Sequence, residues 1–168
     1  LQVDVTDRAA LAEAFGTHLL PSPMPLAGVS HLAGLLDDAP LSRLDWARFN
    51  TVLSPKVDGS WFLHELTRDL ALDHFVVFSS IASVFGTHGQ ANHVAANTFM
   101  DALVAARRAD FLPGLSINWG AWGELGTVVR LGILDRIRQQ GVEGFDTATG
   151  LAVLDRLMAS GEGSKVVT

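Results

Sequence analysis

Apolar and polar positions along the chain follow two different periods, and the two alternate. Phe75-Val76-Val77-Phe78 and the stretch from Leu115 to Trp119 are short apolar-rich runs, the pattern of strands buried on both faces. Ala27 to Gly34 is a third, closing in His31-Leu32-Ala33-Gly34, and residues 165–168 are read as a last strand. Residues 1–5 alternate apolar and polar as the end of a strand does. Thr6 is the expected N-cap of a helix over 7–15, with Leu11, Ala14 and Phe15 on one face. Helical spacing returns over 45–67, over 90–108 (Ala95, Phe99, Ala102, Leu103, Ala106) and over 147–159 (Leu151, Leu154, Leu157, Met158), with a shorter helix over 127–139. Pro55 falls inside the first of these, so a kink or break is expected near Ser54. Pro21, Pro23 and Pro25 exclude helix interior there, because proline lacks the amide donor.

Buried strands alternating with helices predict a parallel, Rossmann-like doubly wound α/β sheet, with residues 1–168 forming a single domain. In such sheets ligands sit beyond the carboxyl ends of the strands. Asp4, Gly34, Ser80 and Trp119 each stand where an apolar run ends, so they are expected to share one rim. An α/β domain without a site would also place polar residues there.

Composition narrows the function. Apolar residues make up 48% and charged residues 18%, a globular balance. The net charge is −6 and no basic cluster appears, which argues against nucleic acid as a partner. No apolar run approaches the roughly 18 residues of a membrane span. The absence of cysteine excludes disulfides, thiolate zinc sites and cysteine nucleophiles. The 6 histidines are scattered, and His88 and His93 lack further ligands nearby, so no metal is expected. No Gly-x-Ser-x-Gly elbow surrounds Ser80, which argues against a serine hydrolase. Tyrosine is absent altogether.

Five motifs in order carry a resemblance. They are Leu36-Asp37-Asp38-Ala39-Pro40-Leu41, Leu53-Ser54-Pro55-Lys56-Val57-Asp58-Gly59, Phe78-Ser79-Ser80-Ile81-Ala82, Gly89-Gln90-Ala91-Asn92-His93-Val94-Ala95-Ala96-Asn97 and Ser116-Ile117-Asn118-Trp119-Gly120-Ala121-Trp122. Together they resemble the ketoreductase domains of type I modular polyketide synthases, within the short-chain dehydrogenase/reductases. The resemblance implies hydride transfer from NADPH to the β-ketone of an acyl chain held by phosphopantetheine on an acyl carrier protein, among neighbouring synthase domains in the cytoplasm. It also implies a site of lysine, serine, tyrosine and asparagine, which fall on Lys56, Ser80, His93 and Asn97. The spacing is intact and one residue type is not.

By the same resemblance Asp4 is the adenine-contacting aspartate, alternatively a helix-start charge. Gly34 and Gly120 fall at the cofactor. Asp37 and Asp38 match the fingerprint of B-type domains, which give the D-configured hydroxyl, and Phe85 stands where A-type domains carry tryptophan; a solvated acidic loop is the alternative. Gln90 and Trp122 fall along the substrate channel. Trp119 and Trp122 line the nicotinamide or acyl channel, or are core aromatics.

The chemistry explains the residue types. Hydride attack leaves an alkoxide, which a serine hydroxyl stabilises as charge develops. An acid then delivers a proton, and a phenol near pKa 10 needs a cation beside it to do so. An imidazole can serve as general acid, but a neighbouring ammonium disfavours its protonated form, and its reach is shorter. The expectation is a severely impaired or silent site, against a reductase that uses His93.

The chain begins at Leu1 without an initiator Met and reads as the carboxy-terminal part of such a domain. The family's opening strand and glycine-rich turn are not found in it, so tight NADPH binding is not expected. Residues 1–17 are then expected to pack loosely or elsewhere, and the strand at 27–33 to be an exposed apolar edge. Two further readings stand beside the reductase: a non-catalytic scaffold or acyl-chain-binding domain of a synthase, and a nucleotide-binding or interaction domain outside polyketide synthesis.

Overall fold

In a computed structural model, residues 1–126, 129, 132, 143–161 and 163–167 are described. In chain order they form α1 (Arg8–Ala14), β1 (Gly28–His31), α2 (Trp46–Thr67), β2 (His74–Ser80), α3 (Ala82–Phe85), α4 (Ala91–Ala109), β3 (Leu115–Trp119), α5 (Thr147–Ser160) and β4 (Ser164–Val167). The four strands lie in the order β1-β2-β3-β4 and every pair is parallel. Helices α1, α2 and α4 cover one face, where Leu11, Phe15, Leu63, Met100 and Val104 meet Phe75 and Val77. The other face carries α5, with Val153, Leu154 and Leu157 against Val76, Leu115, Ile117 and Trp119. Strand side chains alternate between faces, so one run of β3 serves both layers. The sheet is the doubly wound α/β arrangement that the sequence predicts.

Local chemistry sets the helix limits. Asp45 caps α2 by accepting from the Arg48 amide at 2.9 Å, and Asp146 caps α5 through the Thr149 amide at 2.7 Å. Gly161, in the left-handed region at φ 68°, ends α5. The cap of α1 is Asp7, whose side chain accepts from the Ala10 amide at 3.0 Å, and not Thr6. Thr6 instead donates its amide and hydroxyl to Asp4.

Several expectations are corrected. Residues 1–5 form no strand, and of the two alternatives for residues 1–17 it is packing elsewhere than in the sheet that holds, with Leu11 and Phe15 in the core. Helix α2 runs unbroken past Pro55. Val52, three residues before the proline, and Ser60, five after it, are fully buried, and packing holds the helix where one amide donor is missing. The buried stripe of α4 is Asn92, Ala96, Asn97, Met100, Leu103, Val104 and Arg107, whereas Ala95, Ala102 and Ala106 face solvent. Leu151 of α5 is exposed as well. The helix expected over 127–139 lies almost wholly outside the described residues, as does Thr168. Among the described residues β1 pairs only with β2 and is a sheet edge, yet its side chains are partly covered: Val29 joins the core and His31 is 2% exposed.

Arg107 is buried and has no carboxylate partner among the described residues. Its Nε donates to the Pro113 carbonyl at 2.9 Å, its guanidinium lies 3.9 Å from the Phe75 ring centroid, and one terminal nitrogen is 3.0 Å from His64 Nδ1. The side chain sits in the last turn of α4 beside the last turn of α2, where helix dipoles favour a cation. His64 accepts there as a neutral ring, and burial, then the Arg107 charge, hold its pKa below the usual value.

Phe111, just past α4, has φ 59° and is 97% exposed. A left-handed conformation at a residue with a Cβ costs about 1–2 kcal/mol, and glycine returns part of that to unfolded-chain entropy. Phe111→Gly is therefore expected to stabilise the chain by about 0.5–1 kcal/mol. Urea unfolding measures it, and an unchanged or lower midpoint refutes it.

Candidate functional site

The carboxyl end of β2 and the first turns of α4 converge on Lys56 of α2. Ser80 closes β2, and its hydroxyl oxygen accepts from the Ala82 amide at 3.1 Å, an arrangement that leaves the O–H to donate. Lys56 is buried and donates Nζ–H to the Phe78 carbonyl at 3.2 Å, two residues before Ser80. His93 and Asn97 lie one turn apart on α4, and Asn97 Nδ2 donates to the His93 carbonyl at 2.7 Å. His93 Nδ1 and Asn97 Oδ1 are both buried with no hydrogen-bond partner among the described residues.

The electrostatics centre on the lysine. Burial pushes the Lys56 ammonium down to about 8, opposed by attraction to Asp101. Burial, then the Lys56 charge, lowers His93 to about 4. The same two causes bring His31 to about 4, with a weaker opposing hydrogen bond to Pro55. Both rings are therefore neutral at pH 7, and Lys56 is the cation they share.

Gly34 follows β1 and touches this lysine. A Cβ there would stand 2.9 Å from Lys56 Cε and 3.4 Å from Nζ. Because the lysine is buried, it has little room to yield. Gly34→Ala is expected to displace the ammonium, to lower any turnover the site supports by roughly tenfold or more, and to cost about 1–3 kcal/mol of stability through overpacking. Turnover and unfolding measured side by side check this, and equal turnover refutes it.

The Asp37–Asp38 loop is strapped across the start of α4. Arg48 pairs with Asp37 and also donates to the Asp38 carbonyl at 3.0 Å. Gln90 Nε2 donates to Asp38 Oδ2 at 2.9 Å, and Asn92 Nδ2 to the Asp37 carbonyl at 2.9 Å. The Arg48 guanidinium holds the Asp37 carboxyl below the usual range.

Of the remaining expected residues, Trp119 stands opposite Ser80 in the register of β2 and β3, and its carbonyl accepts from the Ile81 amide at 3.0 Å. Asp4 sits in the exposed turn before α1, its carboxyl lowered by the Thr6 hydrogen bonds. Trp119 packs among Phe78, Trp122 and Phe145 on the α5 side of the sheet, with ring centroids 5.0–5.7 Å away. Gly120 extends β3 by donating its amide to the Val167 carbonyl at 2.7 Å. Phe85 ends α3 with its ring exposed. Among the described residues no group of His, Asp and Glu could hold a metal ion, and no helix is long and apolar enough to cross a membrane.

Sequence reasoning missed the polar layer beneath the cluster. Asp101 of α4 accepts from Ser83 at 2.7 Å, from Asn118 Nδ2 at 2.8 Å and from the Ser116 hydroxyl. The signal was present in the four-residue spacing of positions 93, 97 and 101, and in Ser116 and Asn118 alternating within an otherwise apolar strand.

A family model described as the KR domain matches residues 1–124. The spectinabilin polyketide synthase system protein NorB of Streptomyces orinoci is 44% identical over 161 residues, which are 94% of this chain and 7% of that protein. The mycoketide-CoA synthase of Mycobacterium tuberculosis is 46% identical over 160 residues, 92% of this chain and 4% of its own length. The chain thus spans less than a tenth of these curated relatives. Among solved structures, an A-type ketoreductase from a modular polyketide synthase superposes with a TM-score of 0.95 at 38% identity, covering 100% of this chain and 35% of that one. The first ketoreductase of the tylosin synthase gives 0.82 at 37% identity, covering 98% and 35%.

Proposed function

Because the chain belongs to the ketoreductase domain family of polyketide synthases, we propose that it is part of a domain built to reduce a β-ketoacyl thioester to the β-hydroxyacyl form, and that proton delivery in it is severely impaired at His93. The observation that carries this reading is a neutral, buried imidazole beside the Lys56 ammonium, at the position where an acid is needed. Ser80 stabilises the developing alkoxide with its free O–H. Lys56 supplies positive charge and Asn97 orients a proton relay through its unpartnered carbonyl oxygen.

Members of this family use NADPH, which supplies the hydride when bound. The unpartnered buried polar atoms beside Lys56, and the close approach of Gly34 to it, fit the reacting end of that cofactor. No glycine-rich turn of the pyrophosphate-binding kind occurs in these residues, so the chain's own contribution to NADPH affinity is small. By its resemblance, the Leu36-Asp37-Asp38 motif supports a B-type lineage and a D-configured product. The expected partners are an acyl carrier protein bearing the β-ketoacyl chain and the neighbouring synthase domains.

The test is product analysis in the full-length protein, with NADPH and a β-ketoacyl thioester, for the native sequence and His93→Tyr. Little β-hydroxyacyl product from the native protein and ready formation by the variant support the proposal. Ready formation by both overturns the impairment, and formation by neither overturns the reductase assignment. The second reading is a domain that holds carrier-bound chains without reducing them, favoured by a polar site kept intact around a silent residue.

A further inference from the structure

We propose that Asp101 is a positioning residue: its carboxylate ties α3, β3 and α4 together beneath Lys56, Ser80, His93 and Asn97, and so fixes where Ser80 and Asn97 stand. This rests on the reading of those four residues as a reductase site.

Two elements send donors to the one carboxylate, and a third carries it. From α3, Ser83 Oγ lies 2.7 Å from Asp101 Oδ2 and 2.8 Å from the Ser80 carbonyl. From β3, Asn118 Nδ2 lies 2.8 Å from Oδ2, and the Ser116 hydroxyl donates to Oδ1. From α4, Asp101 itself stands one turn beyond Asn97 and two beyond His93, on the same stripe.

The network extends to the site through a second route. Asn118 Nδ2 also lies 3.2 Å from Ser79 Oγ, and Ser79 Oγ donates to the Asn97 carbonyl at 3.5 Å. Ser79, Ser116 and Asn118 are all buried, so their polar groups depend on these bonds. The Asn118 amide can only donate, the Ser116 hydroxyl points at the other oxygen, and the one Ser83 hydrogen is shared between Asp101 and the Ser80 carbonyl, so a side chain that accepts at both oxygens suits the site.

The charge adds a second consequence. Asp101 is the carboxylate that opposes the effect of burial on Lys56. A residue that merely filled space would satisfy neither the donors nor the lysine.

Side-chain NMR titration of the whole chain tests this. The chain has two lysines, Lys56 and Lys165, so Lys165→Arg assigns the signals. Asp101→Asn keeps the shape, removes the charge and turns an amide NH₂ toward donors. Its Lys56 midpoint is expected to fall by about half a pH unit or more, with displaced amide signals at Ser80, Ser83 and Asn97. An unmoved midpoint, or unmoved Ser80 and Asn97 amides, overturns the proposal. If Asp101→Asn does not fold, Ser116→Ala removes one donor and keeps the charge; displaced Ser83 and Asn97 amides then support the tie, and unmoved ones overturn it.

A kinetic arm uses the full-length protein in the His93→Tyr background. There Asp101→Asn is expected to lower kcat by roughly tenfold or more with KM within about threefold, the mark of lost positioning. An unchanged kcat overturns the proposal. If His93→Tyr itself fails to turn over, the reductase reading fails, and the titration still decides whether Asp101 holds these elements.

Discussion

Replacing His93 with tyrosine is expected to raise NADPH-dependent turnover of a β-ketoacyl thioester by about a hundredfold or more in the full-length protein. With the ring at about 4, only about one molecule in a thousand carries the imidazolium at pH 7. The neutral ring that remains is a far weaker acid. A phenol in the same place starts near pKa 10 and is drawn down by the same ammonium that disables the imidazole. General acid catalysis by a placed side chain is worth roughly 10²–10⁴ in rate, which brackets the expected gain. Initial rates of NADPH oxidation measure it. A native rate within about tenfold of the variant's shows that His93 delivers protons competently and that the site is not impaired.

The second large effect is on stability in mild acid. His31 and His93 are both depressed to about 4 in the folded chain, while the unfolded chain takes up protons near 6.5. Between those values the unfolded state binds more protons, so stability is fully present above about 6.5 and is lost as pH falls toward about 4. Each ring contributes about 3 kcal/mol over that window, and His64 acts in the same direction. Lys56, lowered to about 8, adds a separate window: stability rises again as pH climbs from about 8 toward 10.5. Urea unfolding at pH 7, 5.5 and 4.5 reads the acid limb. His93→Tyr removes one of the two large contributions, so its profile is expected to be distinctly shallower. Equal stability at pH 7 and 4.5 refutes the assignment of buried neutral rings.

How far the sequence revealed the protein depends on which force set each feature. The strands at 75–78 and 115–119 were legible because both faces are buried, which leaves an apolar run whatever the neighbours are. Lys56, Ser80, His93 and Asn97 stand out through motif spacing; in the structure Lys56 donates to the Phe78 carbonyl and its charge acts on His93, whose carbonyl accepts from Asn97. Features set by tertiary contact were not legible. Pro55 argues locally for a break, and only burial on both sides keeps α2 whole. The apolar face of Leu11 and Phe15 was legible, but Val3 and Val5, alternating with polar residues, read as a strand end and gave no sign that they pack against other elements instead of joining the sheet. The spacing of 93, 97 and 101 puts Asp101 on the site's side of α4 but does not name its partners, and nothing local marks Arg107, because those partners come from α3, β3, α2 and the loop at Pro113.

The placement of three site-linked residues at four-residue intervals on α4 bears on which genetic changes the domain can survive. A substitution at position 93 alters one group and leaves the frame of Asn97 and Asp101 untouched. It can be reversed by a single base change, since tyrosine and histidine codons differ by one. A deletion within residues 94–96 would instead turn His93 by about 100° away from its two companions, and no later point change would restore the register. In a lineage released from selection for reduction, substitutions in this helix and the retention of its length are therefore separate records. A helix still in register marks a site within one mutational step of its former chemistry, and a changed length marks one that cannot return.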